Sequence, residues 1–169
     1  MPAEPPITQP TRGQDAAAPD AARVVAPPPL IYLGSLAIGF GLEALLPSAS
    51  VPDAVRWGAG GALLVAGSLL ARAFFQALAR AGTTISPYDA TTALVTTGPY
   101  RISRNPGYLG MTLAYAGVAL LSGALWPFGT LVPTLVLIDC GVIAREERYL
   151  ERTFGDQYRQ YKRQTRRWL

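Results

Sequence analysis

Two short polar stretches concentrate the side chains of this chain that could do chemistry. The first is TTGPYRISRNPGYLG, Thr96 to Gly110: Gly98-Pro99 signals a turn, Arg101 and Arg104 stand three residues apart, and Asn105-Pro106 breaks the chain again before an apolar run. A donor-rich segment held rigid by two prolines at a helix N-terminus suits an anionic or carboxylate-bearing group. It suits equally a plain basic loop lying beside a membrane. The second stretch is REERYLERTFGDQYRQYKRQTRRWL, Arg145 to Leu169. Glu146 and Glu147 sit where a helix leaves an apolar run, and Asp139 lies seven residues before Glu146 on the same face. A carboxylate two turns inside a span faces protein or a water-filled cavity, because lipid cannot solvate it. For Asp139 an interhelical hydrogen bond to a Ser, Thr or Tyr and a functional role are both open. For the two glutamates the bland alternative is pairing with Arg148, Arg152 or Arg104, and surface pairs contribute only about 0–1 kcal/mol.

Composition removes several chemistries. The 169 residues include no histidine, so imidazole bases, Ser-His-Asp triads and His-ligated metals are excluded together. The single cysteine, Cys140, lies in an apolar run and supports neither an intrachain disulfide nor a metal cage. No metal site is expected. The formal net charge is +4, and 8 of the 15 basic residues follow Ala144, next to strongly apolar segments. That pattern fits an anionic membrane surface better than nucleic acid.

The elements that must position these stretches are membrane helices: half the residues are hydrophobic and only 15% are charged. Residues 1–29 hold 8 of the 15 prolines with no apolar periodicity, and read as a disordered Pro-rich cytosolic tail. Residues 30–169 read as the working domain. Four apolar runs follow one another at about 30–46, 55–79, 108–126 and 128–144, the first about 26 Å long as a helix. Glu43 lies near the end of the first, Arg72 interrupts the second, and the fourth follows the third after Pro127 alone, as a tight helical hairpin. Residues 145–169 continue the fourth as an amphipathic helix with a break at Gly155, and Tyr158, Tyr161 and Trp168 form an interfacial belt. Arg80, Arg101 and Arg104 join the basic tail on one side, against Arg56 on the other, which puts the 80–107 loop and both termini in the cytosol. Gly60, Leu64 and Gly67 in the second run and Gly110, Ala114 and Gly117 in the third are spaced for close helix packing, within one chain or between two.

In this order, GPYRISRNPGYLG, then about 35 apolar residues, then EERYLERTFGDQYRQYKRQTRRWL, the two stretches resemble the isoprenylcysteine carboxyl methyltransferase and phospholipid methyltransferase superfamily of integral-membrane enzymes. The resemblance covers roughly Arg80 to Leu169 and is closest to the bacterial branch, whose preceding stretch is similar to AGTTISPYDATTALVTTGPYR. It implies an all-α membrane protein of about four transmembrane helices, with a cytosolic cofactor loop and a C-terminal amphipathic helix. The implied activity is S-adenosylmethionine-dependent methyl transfer at the cytosolic face of a bacterial inner membrane, to a lipid-like or small amphipathic acceptor. Carried over by position, Gly98, Pro99 and Tyr100 shape the cofactor loop, and Arg104 is the Arg of the family's Arg-His-Pro triplet. Tyr108 is the Tyr that follows it, and Glu146 and Glu147 are its Glu-Glu pair. Asn105 stands where most members have His, so that position can orient a cofactor through its amide but cannot act as acid or base.

The implied cofactor carries a carboxylate, an amine and hydroxyls and so calls for both signs, which Arg104 with Glu146 or Glu147 supplies; Arg104 is expected to bind a carboxylate of cofactor or substrate, and Glu147 to anchor the cofactor or polarise the acceptor. These two are the expected catalytic residues. Membrane-embedded sterol reductases share a similar C-terminal segment, which keeps a nicotinamide cofactor in view. A non-catalytic scaffold binding anionic lipid through Arg159 to Arg167 is the other alternative.

Overall fold

The computed structural model describes residues 26–46, 48–82 and 93–169. Most of the Pro-rich tail and residues 83–92 of the loop before Gly98 lie outside the described residues. Helix α1 spans Pro28–Leu45 and α2 spans Gly61–Arg80, the latter entered through a π-helical turn at Val55–Gly60. A short 3-10 turn at Gly98–Arg101 leads to α3, Pro106–Ser122. Helix α4, Trp126–Val136, runs through a π-helical segment, Leu137–Ile143, into α5, Ala144–Gln164. Prolines sit in the first turns of α1, α3 and α4, where the missing N–H has no intrahelical partner to lose. Gly123, at φ 77°, ends α3 in the left-handed conformation, and the Ala124 N–H returns to the Ala119 carbonyl.

Pro28–Leu45, Val55–Arg80 and the stretch beginning at Trp126 are long and apolar enough to cross a membrane. In the last of these, Trp126–Ile143 makes the apolar crossing and the charges from Arg145 onward lie outside it. With α3, 17 residues and about 26 Å long, these make an up-down-up-down bundle. The expected all-α membrane architecture is therefore observed.

Two interfaces hold the bundle. Helices α2 and α3 run antiparallel with backbones in contact: a Cβ on Gly67 would lie 2.6 Å from the Ala114 nitrogen, and one on Gly117 would lie 2.6 Å from the Leu64 nitrogen. Lipid supplies no hydrophobic force between helices, so such close approach, and the dispersion it permits, does the work. Helices α1 and α4 meet at Gly39 against Pro127, then through hydroxyls: Ser35 Oγ donates to the Thr130 carbonyl at 3.0 Å, and Thr134 Oγ1 donates to Ser35 Oγ at 2.7 Å. Tyr115 of α3 joins them by donating to the Pro127 carbonyl at 2.9 Å. Glu43, near the end of α1, accepts from the Leu125 and Trp126 N–H groups and so caps α4.

Three expectations change. The hairpin turn falls at Gly123–Leu125, not at Pro127, because glycine ends α3 early and proline serves the first turn of α4. The C-terminal helix stops at Gln164, and Thr165–Leu169 turns back as an extended strap. Tyr158 and Tyr161 are not an interfacial belt: both rings are buried, packed edge to face at 6.2 Å between centroids, and Trp168 packs against the core. The break at Gly155 is present, at φ 52° and ψ −122°.

Substituting Gly67→Ala is expected to force α2 and α3 apart and destabilise the protein by about 1–3 kcal/mol, as overpacking does. Gly61→Ala meets nothing within 4 Å and gains up to about 1 kcal/mol of helix propensity. Thermal melts in detergent should separate the two, with Gly67→Ala falling and Gly61→Ala unchanged or higher.

Candidate active site

At the end of the bundle where α2 finishes and α5 begins, the two polar stretches meet. Arg104 lies between the 3-10 turn and the start of α3, and its guanidinium is buried. Its Nη2 and Nε donate to Glu147 Oε1 at 2.7 and 3.2 Å, and its Nη1 donates to the carbonyls of Thr165 and Lys162 at 2.6 and 3.0 Å. Lys162 lies in the last turn of α5 and Thr165 is the residue that follows it, so Arg104 also caps that helix and complements the negative end of its dipole.

Glu147 is 5% exposed and takes a second cation. Arg167, from the strap, donates through Nη2 to Glu147 Oε2 at 2.5 Å and through Nε to Oε1 at 3.3 Å. The same guanidinium reaches Asp139 Oδ2 with Nη1 at 2.9 Å, and the Trp168 indole N–H donates to Asp139 Oδ1 at 2.9 Å. Among the described residues, Asp139 is therefore bonded to the strap and not to a Ser, Thr or Tyr. The π segment between Asp139 and α5 uses more residues per turn than an α-helix, which delays the face by about one residue. The carboxylate that shares a cation with Asp139 is accordingly Glu147, eight positions on, not Glu146.

Glu146 takes a different environment. It is half-buried and accepts from the Tyr108 hydroxyl at 2.7 Å. Burial pushes its carboxyl up to about 7, against which the Tyr108 bond pulls only partly. Glu147 also loses water, but the hydrogen bonds and charges of Arg167 and Arg104 outweigh that loss and hold it below its usual range. Adjacent glutamates therefore differ in charge state near neutral pH.

The remaining expected residues form the rim. Gly98 has φ 63°, which frees the chain to enter the 3-10 turn with Pro99 and Tyr100. The Tyr100 ring packs on Phe74 of α2, and its carbonyl accepts from the Tyr161 hydroxyl at 2.7 Å. Asn105 precedes α3; its side-chain amide donates to the Arg167 carbonyl at 2.9 Å, and buried Ser103 donates to the same carbonyl at 3.1 Å. The structure thus gathers Arg104, Asn105 and Glu147 into one network through Arg167, with Gly98, Pro99 and Tyr100 in the turn before Arg104, and it leaves Tyr108 and Glu146 as a separate hydrogen-bonded pair. Sequence reasoning missed Ser103, Arg167 and Trp168 as parts of the network. Nothing in a run of arginines distinguishes the one that folds inward.

Beside this network, Thr112, Leu135, Val136, Asp139, Cys140 and Trp168 line a mostly apolar cavity of about 400 Å³ on the membrane side. The molecule is thus an all-helical membrane protein with a charged network at one end of its bundle and an apolar cavity beside it. Comparison with known proteins gives the class its name: the phospholipid methyltransferase family model matches residues 55–157, and the chain belongs to that family. An uncharacterized protein from Haemophilus influenzae is 42% identical over 62 residues, 37% of this chain and 78% of that relative. No solved structure matches the chain.

Replacing Glu147 with Ala leaves two guanidinium groups without their shared anion. Because Arg167 is partly exposed, the loss should lie at the low end for a broken buried pair, about 3 kcal/mol. Thermal melts should show this at neutral pH, whereas Asp156→Ala, which removes a surface pair with Arg159, should leave the melting temperature unchanged. The Glu147 carboxyl is lowered, so its contribution is present above the ordinary value of 4.5 and is lost as pH falls below it. The difference between wild type and Glu147→Ala should shrink over that acid range.

Proposed function

We propose that this protein transfers a methyl group from S-adenosylmethionine to a lipid-like or small amphipathic acceptor, at the cytosolic face of a bacterial inner membrane. The reading rests first on Glu146. Two cations already neutralise Asp139 and Glu147, so Glu146 is the carboxylate of the cluster left to carry a net negative charge when ionised. A cofactor with a sulfonium, an amine and ribose hydroxyls calls for one such group. Family membership supports the reaction class, and Arg80, Arg101 and Arg104 with the basic residues after Ala144 support the cytosolic orientation.

When bound, the cofactor supplies a methyl group on sulfur that is open to in-line attack. The chain's part is then orientation, exclusion of water and electrostatics. Ionised Glu146 holds the positively charged or hydroxyl-bearing side of the cofactor, and the Tyr108 hydroxyl fixes the rotamer of that carboxylate. Arg104 and Glu147 act as a brace that keeps the Gly98–Arg101 turn against α5. Asn105 orients without exchanging a proton. The apolar cavity beside Asp139 and Trp168 takes the hydrocarbon portion of the acceptor, as a bilayer-facing wall requires.

The test is calorimetry of S-adenosylmethionine binding to the purified full chain in detergent with added lipid. Saturable binding is expected. Its affinity should rise as pH increases through about 7, because the working form of Glu146 is the ionised one. In Glu146→Gln the affinity should fall at least about tenfold and the pH dependence should flatten. The raised carboxyl also predicts that Glu146 favours the folded state most below its ordinary value of 4.5, and that this benefit is lost as pH rises through about 7. Binding of a nicotinamide nucleotide instead, or no binding by demonstrably folded protein, would overturn the proposal.

A further inference from the structure

The strap Thr165–Leu169 is held by more polar contacts than an anchored tail needs. Its backbone is fixed from one side: the Arg104 N–H donates to the Arg166 carbonyl at 2.9 Å, Arg104 Nη1 to Thr165, and Ser103 and Asn105 together to Arg167. Both Ser103 and Thr165 are buried. Those contacts alone would seat the strap. Its side chains do something separate, since Arg167 and Trp168 point across to the opposite wall and meet Asp139 and Glu147, which come from different elements. Asp139 lies in the π segment that forms the cavity wall, and Glu147 lies in the first turn of α5 beside Glu146.

We propose that Arg167 is a positioning residue for methyl transfer, clamping Asp139 and Glu147 together so that the apolar cavity and the Glu146 carboxylate keep one fixed relation. The inference rests on the methyltransferase reading above and goes beyond it, because it brings the strap into the working unit. Its logic is geometric. A π segment is a less regular join than an α-helix, and here it separates the cavity wall from the carboxylate pair. A planar guanidinium that donates to both carboxylates spans that join, and its fork fixes direction as well as distance, which a lysine ammonium cannot do. Trp168 adds a second contact to Asp139 and lines the same cavity. The charges also balance. Asp139 and Glu147 are matched by Arg104 and Arg167, so the clamp leaves the single charge of Glu146 for the ligand. Without Arg167 the cluster carries an additional uncompensated negative charge, and the spacing on which in-line transfer depends is no longer enforced.

The experiment compares wild type, Arg167→Ala and Arg167→Lys as full-length protein in detergent with lipid. It reads S-adenosylmethionine affinity by calorimetry and the melting temperature of each variant. Arg167→Ala is expected to bind at least about tenfold more weakly, as misplacement near a reacting centre does. Arg167→Lys should recover little of this loss, since it restores charge but not the fork. The Arg167 side chain is 34% exposed, so a small guanidinium can reach the vacated place. Low, non-denaturing concentrations of ethylguanidinium should therefore restore binding to Arg167→Ala and leave wild type unaffected. The rescue is read at a concentration that leaves the melting temperature of Arg167→Ala unchanged, so recovered binding without recovered stability separates positioning from a structural role. Wild-type affinity in Arg167→Ala, full recovery in Arg167→Lys, or a loss that tracks melting temperature and is not rescued would each overturn the positioning role while leaving the methyltransferase reading intact. Absence of cofactor binding in folded wild type would instead remove that reading, and the inference with it.

Discussion

The pairing of Arg104 with Glu147 is the interaction on which this end of the molecule depends. Both side chains are below a tenth exposed. Removing two ions from water costs several kcal/mol each, and Coulomb attraction offsets this only where the remaining donors and acceptors are also satisfied. Here they are: Arg104 adds the carbonyls of Lys162 and Thr165, and Glu147 adds Arg167. The pair thus brings no large net stability, yet it is intolerant of losing either member. That asymmetry makes it a specifying device. Its bonds tie the segment after the Gly98–Arg101 turn, α5 and the strap to one another, and their directions constrain how the three are placed.

The bundle supplies the rigid frame that such a network requires, by two different means. Between α2 and α3 the glycines set the distance, because no side chain intervenes at Gly67 and Gly117 and the backbones themselves touch. Between α1, α3 and α4 hydroxyls set the register, through Ser35, Tyr115, Thr130 and Thr134. Interhelical hydrogen bonds in membranes average only about 0.6 kcal/mol each, so their effect here is orientation more than strength. Tyr32 of α1 extends the same logic toward the site: its hydroxyl meets Thr112 Oγ1 at 2.8 Å, one turn from Tyr108. The residue that holds Glu146 is therefore itself placed by a chain of polar contacts running through the bundle.

Much of this was legible in the sequence, for reasons specific to each element. The membrane helices were readable because hydrocarbon solvent forces apolar runs of nearly fixed length, and α1 and the continuous Val55–Arg80 stretch fall within two residues of their expected limits. The small-residue faces were readable because helical spacing of glycines has a direct packing meaning. The Gly98-Pro99 turn and the start of α3 at Pro106 followed from backbone restrictions that no tertiary contact overrides. What escaped depended on partners distant in sequence. The strap could not be seen because a Thr165 that ends α5 looks no different from one that continues it. The buried tyrosines of α5 were misassigned because an aromatic flanked by arginines has the same local signature at a membrane surface and in a protein interface. The π segment left no periodic mark, and it changed which glutamate meets the partner of Asp139.

That last point bears on how two identical neighbours come to have different work. Glu146 and Glu147 are about 100° apart around α5, so one helix turn aims them at different surroundings. One faces two guanidinium groups and stays ionised over the whole neutral range; the other faces a tyrosine hydroxyl and a desolvating wall, and its charge changes near pH 7. Environments that drive two like groups apart in pKa are how a single residue type comes to fill two roles in one site. The roles follow from the partners. A carboxylate already committed to Arg104 and Arg167 cannot give its hydrogen-bonding capacity to a ligand without leaving two cations unpaired, whereas Glu146 commits only Oε1, to the Tyr108 hydroxyl that holds it in place. In a chain without histidine, Glu146 is a group whose charge changes near neutral pH.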